Sequence, residues 1–522
     1  MIKSTRNLLK GLLGALVACT ACVDDESTAY DAGRLDRVVV EGLREKYSVL
    51  LYDRLQIAPD IRTTRGDDSG FSYVWYAYTA VSRDEADTLS HEKNLDVLAE
   101  PSLLTPGEDY TLSLRVTDDE TGVFYQKSMK LEVTTRFTKG TIFLCEEGGE
   151  AEVDFMQDNE EHTFLENVYV GANKERVGRN PKRIISVNPN AYAPFMKQEY
   201  IWCEDENGGM IADPLSFEKV MPMRRAFDVA PASEVLCPEY YFKGGMIEYI
   251  IVDGALHKRA TNMKAVTWEP ALVLMTVPAD YEVAPDVLFP TGTPVFYDGL
   301  HGRLITHAAW NMAALKPLVR AATDPKVFDP GNLGAHLELK CWGRLSEPKM
   351  GAWMLLEDTE KQTFLVYKFS MSGNEFSSIS KVEVTEAVAP NMKHAMAFAA
   401  NPTVNDLFVY ATPGGIYSFA VNQLSASASR LEVLQRDMAA AQTEVTGMKF
   451  LDITVPAPTA DDPDATRIVP QVRVFVRDLS LPEKQGGAVF FEVNTTGGVH
   501  LDEVFRKTGF CDRVVDVDEK YN

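Results

Sequence analysis

Two cysteines near the start of the chain have the spacing and neighbours of a lipid-attachment site. The chain opens with Lys3, Arg6 and Lys10, runs apolar from Gly11 to Ala18, and reaches Cys19-Thr-Ala-Cys22. A basic head, a short apolar stretch and small residues before a cysteine describe a signal that is removed, leaving a thiol and an amine to take lipid. The apolar run is far below the roughly 18–20 residues of a membrane span. Leu16-Val-Ala-Cys19 is the better peptidase site, but Cys22 is followed by Asp24, Asp25 and Glu26, and the reading adopted is lipidation at Cys22, with Cys19 as the alternative.

Other reactive groups are scattered. Cys145, Cys203, Cys237, Cys341 and Cys511 form no CxxC pair, and buried free thiols are expected. Neither GxSxG, HExxH nor a phosphate-binding loop occurs. His301 and His307 stand six apart on a hairpin pattern, a spacing better explained by structure than by metal ligation. The acidic turns Asp67-Asp68, Asp118-Asp-Glu120 and Asp461-Asp-Pro-Asp464 fit no EF-hand loop and read as solvated turns. No catalytic set, metal or cofactor is implied. Aromatics are the better lead. Trp202, Trp268, Trp310, Trp342 and Trp353 all fall in the C-terminal region; Trp268 (Thr-Trp-Glu-Pro) and Trp342 (Lys-Cys-Trp-Gly) lie beside turn residues. These two are the candidate exposed rings for stacking on a ligand.

The elements that would carry these groups are strands. With 522 residues the chain is too long for one ordinary core, and 45% hydrophobic content marks it as folded. Its formal charge of −24, three units more negative once the signal is lost, disfavours nucleic acid as a partner. Residues 1–21 read as signal and 22–35 as an acidic tether. Residues 36–135 alternate apolar and polar positions in about seven short strands, with Trp75 central and a turn at Asp118–Gly122. This pattern predicts an immunoglobulin-like sandwich with Trp75 in its core.

Residues 136–522 repeat one unit, an apolar strand, a polar or glycine turn and a second apolar strand. It recurs at 141–155, 199–211, 248–257, 294–306, 352–367, 406–419 and 487–500. One hairpin per roughly 55 residues exceeds the about 40–45 of a compact propeller blade, so several blades carry long loops. The expectation is an all-β protein, a sandwich followed by a β-propeller of about seven blades, with Arg513–Tyr521 closing the ring on the first.

Cys22-Val-Asp-Asp-Glu-Ser, Leu55-Gln-Ile-Ala-Pro59, the Tyr73-Val-Trp75 strand and the Leu112–Gly122 strand-turn resemble the PKD-like lipoproteins of Bacteroidetes. Tyr76-Ala-Tyr78 departs from the aspartates of a PKD strand-turn, as in the PKD-like branch of that family. The resemblance implies a lipid anchor in the outer membrane with the protein on the cell surface. It also implies a non-catalytic accessory role beside a SusC/SusD-type importer, capturing peptide or glycan. Two alternatives remain open: a propeller enzyme acting on polysaccharide, which needs converging carboxylates, and a purely structural docking subunit. Mass spectrometry of the mature N-terminus is expected to find acylated Cys22; an unlipidated terminus elsewhere contradicts the anchor.

Overall fold

The computed structural model describes residues 38–64, 66, 70–79, 86–100, 102–159, 161–187, 198–244, 246–260, 266–290, 292–308, 312–401, 403–413, 415–424, 436–437, 442–457, 465–494 and 500–520. Cys19, Cys22, Asp24, Asp25, Glu26, Trp310 and the Asp67-Asp68 and Asp461–Asp464 turns lie outside the described residues. The chain divides into two compact units, residues 1–135 and 136–522.

In the first unit, the long strands Phe71–Thr79, Asp109–Asp118 and Phe124–Thr134 form the middle of a five-stranded sheet, edged by Lys46–Leu50 and Asp87–Ser90. Two small two-stranded sheets complete the sandwich: Val38–Glu41 with Asp60–Thr63, and Arg54–Ile57 with Leu95–Leu98. Alternation aims Trp75, Leu112, Leu114 and Leu131 inward, where they share one core with Leu55 and Ile57. Trp75 is buried as expected, its indole N–H donating to the Lys93 carbonyl at 3.3 Å. Asp118 builds the expected turn. Its carboxylate accepts the Glu120 N–H, and Gly122 takes the positive φ (70°) that a side chain would resist.

The second unit is a ring of seven sheets, each holding one of the seven hairpins read from the sequence. Blade 1 pairs Gly140–Glu147 with Glu150–Gln157; blade 2 pairs Gln198–Cys203 with Met210–Ala212. Blades 3 and 4 are built on Ile247–Val252 with Ala255–Ala260 and on Val295–Asp298 with Arg303–His307. Blade 5 has Gly351–Asp358 with Thr363–Ser372, blade 6 Leu407–Thr412 with Gly415–Ala420, and blade 7 Gly486–Asn494 with His500–Cys511. Blade 3 has three strands and blade 5 five; the others have four.

Both faces of each blade are covered, which explains why the strands read as nearly unbroken apolar runs. In Ile247–Val252, Tyr249 and Ile251 pack toward blade 4, and Ile250 and Val252 toward blade 2. Trp353 and Leu355 likewise face blade 6, with Met354 and Leu356 facing blade 4. Seven such shared cores follow one another around the ring. The last joins Phe475 and Phe490 of blade 7 to Phe143 and Cys145 of blade 1.

Closure uses the C-terminal strand. Arg513–Lys520 pairs antiparallel with Gly140–Glu147 and is the innermost strand of blade 1. Its charged residues are tied to both neighbours. Asp516 and Asp518 accept the Ile184 and Ser186 N–H groups of blade 2 at 3.1 and 2.9 Å. On the other side, blade 7 supplies Lys449, 3.1 Å from Asp516, and Arg473, ion-paired with Glu519. Lys520 reaches Glu199 of blade 2 at 3.3 Å, both side chains buried. Burial pushes the Glu199 carboxyl up to about 7, with Lys520 and Ser186 pulling the other way.

Lys520→Met leaves the Glu199 carboxylate buried without its cation, at an expected cost of about 3–5 kcal/mol in urea unfolding. Adding Glu199→Leu removes the stranded charge and is expected to restore most of that loss. A double variant no better than the single one shows that the pair is not coupled.

Candidate functional site

The inner strands surround a central channel of about 700 Å³. Its wall is built from Pro181–Val187, Pro238–Gly244, Leu337–Arg344, Ala397–Ala400, Thr443–Pro456 and Arg513–Lys520. On blade 4, residues 284–289 take the inner position, held to the Val295–Asp298 strand by the Leu288–Val295 bridge. The size is that of a pocket for a small ligand. Aromatic side chains (Tyr240, Phe242, Phe289, Trp342, Phe398 and Phe450) make much of the lining.

The charged lining comprises Lys182, Arg183, Lys340, Arg344 and Lys449 against Asp286 and Asp516. The lysines are engaged. Lys182 pairs with Glu204 at 2.7 Å, Lys340 with Glu357 at 2.6 Å and Glu338 at 2.9 Å, and Lys449 with Asp516. The arginines differ. Arg183 lies over the Tyr240 ring, 5.0 Å from its centre, and Arg344 donates to the Phe289 carbonyl at 2.7 Å. Neither has a carboxylate within ion-pair distance among the described residues.

Asp286 is half-buried in the channel wall, with protein on most sides. Burial pushes its carboxyl up to about 6. The Val287 N–H (2.7 Å) favours the charged form, as do Trp342, Arg183 and Tyr240 nearby. Asp516 pairs with Lys449 at 3.1 Å and accepts the Ile184 N–H at 3.1 Å. Among the described residues, Asp286 and Asp516 are the two carboxylates in the channel lining.

The two tryptophans singled out from sequence fare differently. Trp268 is 0% exposed, a correction to the expectation of an accessible ring. Its N–H and carbonyl bond Ala226 and Asp228, which draws the ring into the core between blades 2 and 3 beneath Arg259, 4.3 Å away. The nearby proline marks the end of that segment but says nothing about which way the ring points. Trp342 is also buried, at 4% exposure, yet its residue lines the channel. It sits within a strand, and Gly343 is needed because a Cβ there would come within 2.8 Å of the Trp353 ring. Trp202 and Trp353 are core residues.

His301 pairs with Asp280 at 3.1 Å, whereas His307 contacts the Tyr249 hydroxyl at 2.9 Å and the Met312 carbonyl at 2.6 Å, so the two have separate structural partners. Among the described residues, no three His, Cys, Asp or Glu side chains are grouped to hold a metal. The five cysteines after the N-terminal region are free. Arg183, Arg344, Tyr240 and Asp286 went unnoticed in the sequence; Arg183 alone carries a signal, a charge beside the apolar residues of Pro181-Lys-Arg-Ile-Ile185.

Fold and channel together define an all-β protein with a PKD-like sandwich and a seven-bladed propeller. The model of the PKD-like family matches residues 22–181, the first unit and the start of the ring. No curated protein matches the chain. Among solved structures, a quinonprotein alcohol dehydrogenase-like protein of Bacteroides thetaiotaomicron is 12% identical, with 91% of this chain and 96% of that one covered at a TM-score of 0.38. A Lactobacillus plantarum protein is also 12% identical, covering 73% and 99% at a TM-score of 0.42. Among the described residues no helix is long and apolar enough to cross a membrane.

The Asp286 carboxyl holds its proton more tightly folded than unfolded, where its ordinary value is 3.8. Its contribution to stability is therefore full below pH 4 and is lost as the pH rises through 6. Asp286→Asn is expected to match the wild type below pH 4 and exceed it by roughly 2 kcal/mol at pH 7, after allowing for water in the channel. Denaturant unfolding across pH 4–7 checks this; parallel curves for the two proteins contradict it.

Proposed function

We propose that this chain is a surface-displayed lipoprotein that binds a ligand in the propeller channel and serves, without chemistry of its own, a SusC/SusD-type importer. The observation that carries this reading is the channel, a pocket of ligand size with an aromatic wall and unpaired arginines. The mechanism is local concentration. A binder tethered beside a transporter raises the effective ligand concentration at its mouth with no new contact between ligand and transporter. The N-terminal sandwich serves as spacer, and the lipid on Cys22 as anchor. Peptides and glycans both present faces that such aromatic walls accept.

A hydrolytic reading is favoured by one observation, the raised Asp286 carboxyl, which suits a general acid. It lacks a second free carboxylate in the channel wall among the described residues. Pull-down from solubilised outer membrane with the mature protein is expected to recover a SusC/SusD-type pair, and incubation with peptide and glycan mixtures to leave them intact. Recovery of no transporter rejects the importer role. Turnover that is abolished by Asp286→Asn transfers the protein to the hydrolases.

A further inference from the structure

We infer that the channel selects an acidic ligand whose carboxylates meet Arg183 and Arg344 beside the aromatic wall. This deepens the reading of the channel as a binding site and rests on it. The inference follows from which charges in the wall are already committed. Lys182, Lys340 and Lys449 each have a carboxylate within 3.1 Å. Arg183 and Arg344 have none within ion-pair distance among the described residues, although the chain carries a formal charge of −24 and has carboxylates in abundance. Both guanidinium groups are open to the channel, Arg344 exposed and Arg183 half-buried, and of the two acids in the lining only Asp286 acts on Arg183, from beyond ion-pair distance, so each has donors to offer an incoming anion.

The contacts the arginines do make hold them in place without using up their donors. Arg183 stacks on Tyr240, which leaves its in-plane N–H groups free. Arg344 uses Nη2 on the Phe289 carbonyl, leaving other donors of the five-donor fork. A planar, fixed fork of this kind matches a carboxylate bidentately, where a lysine would act only as a point charge. Tyr240, Phe289 and Phe398, half-buried in the same wall, would pack on the ligand's apolar or sugar-ring face. The acidic exterior does not forbid such a ligand, because its field is screened over about 8 Å at physiological salt while the arginines act at contact.

A carboxylate can come from a uronic-acid oligosaccharide or from an acidic peptide. Calorimetric titration of the mature protein with two matched pairs separates the sources: oligogalacturonate against its methyl ester, and a glutamate-rich peptide against its glutamine counterpart. The acidic member of one pair is expected to bind at least tenfold tighter than its neutral partner. Arg183→Gln and Arg344→Gln are each expected to lose at least tenfold of that affinity, with the lysine variants intermediate and thermal unfolding unchanged. Should a glutamine variant fail to fold, the lysine variant alone carries the comparison.

Equal binding of acidic and neutral members, blocked by the channel-filling Ala397→Trp, overturns the carboxylate inference and leaves the channel reading intact. Binding indifferent to both the arginine variants and Ala397→Trp overturns both. Binding of none of the four probes overturns the inference.

Discussion

The ion pairs of the last strand close the ring, and every other feature of the propeller depends on that closure. The chain passes directly from His500–Cys511 of blade 7 into the last strand of blade 1, and strand pairing and side chains must hold that strand in place. Here Arg513–Lys520 enters blade 1 as its innermost strand, next to the first strand of the unit. Asp516, Asp518, Glu519 and Lys520 then bind blade 2 on one side and blade 7 on the other. Charges this deep are costly individually and become favourable only as a satisfied set. Arg473 illustrates the set: it pairs with Glu519, donates to Thr141 at 3.2 Å, and stacks 4.0 Å over Phe490.

The same strand links stability to the channel. Lys449 and Asp516, which help close the ring, also line the cavity, so part of the lining's charge is spent on architecture. What remains available for a ligand is narrower than the roster of charged residues suggests: two arginines, one acid with a raised proton affinity, and the aromatic surface. The channel is thus an interior whose polarity was divided between holding the blades and facing solvent.

Much of the fold was legible because it rests on local patterning, period-2 alternation in the sandwich and apolar runs broken by turns in the propeller. The strands around Trp75, the Asp118–Gly122 turn and the seven hairpins all carry enough apolar residues in sequence to be recognised locally. The inner strands were not legible in the same way. Pro181–Val187 mixes charge with apolar residues because one side faces the channel, Ala397–Ala400 is only four residues long, and a local pattern cannot distinguish channel from outer solvent. Trp268 misled for a related reason. Its flanking residues signal a chain reversal, and the backbone bonds to Ala226 and Asp228 that pull it inward come from a segment about forty residues earlier.

The sequence alone determined the class of structure, strands with both faces apolar in repeated hairpins, since a residue's hydropathy and its neighbours' spacing are local properties that survive without coordinates. It also placed a closing strand at the C-terminus. Only the tertiary structure decided which charges are free. Whether Arg183 has a partner, or Lys520 an acid beside it, depends on residues hundreds of positions away brought within a few ångströms. Coulomb energy and desolvation at such distances are set by geometry, not by order along the chain.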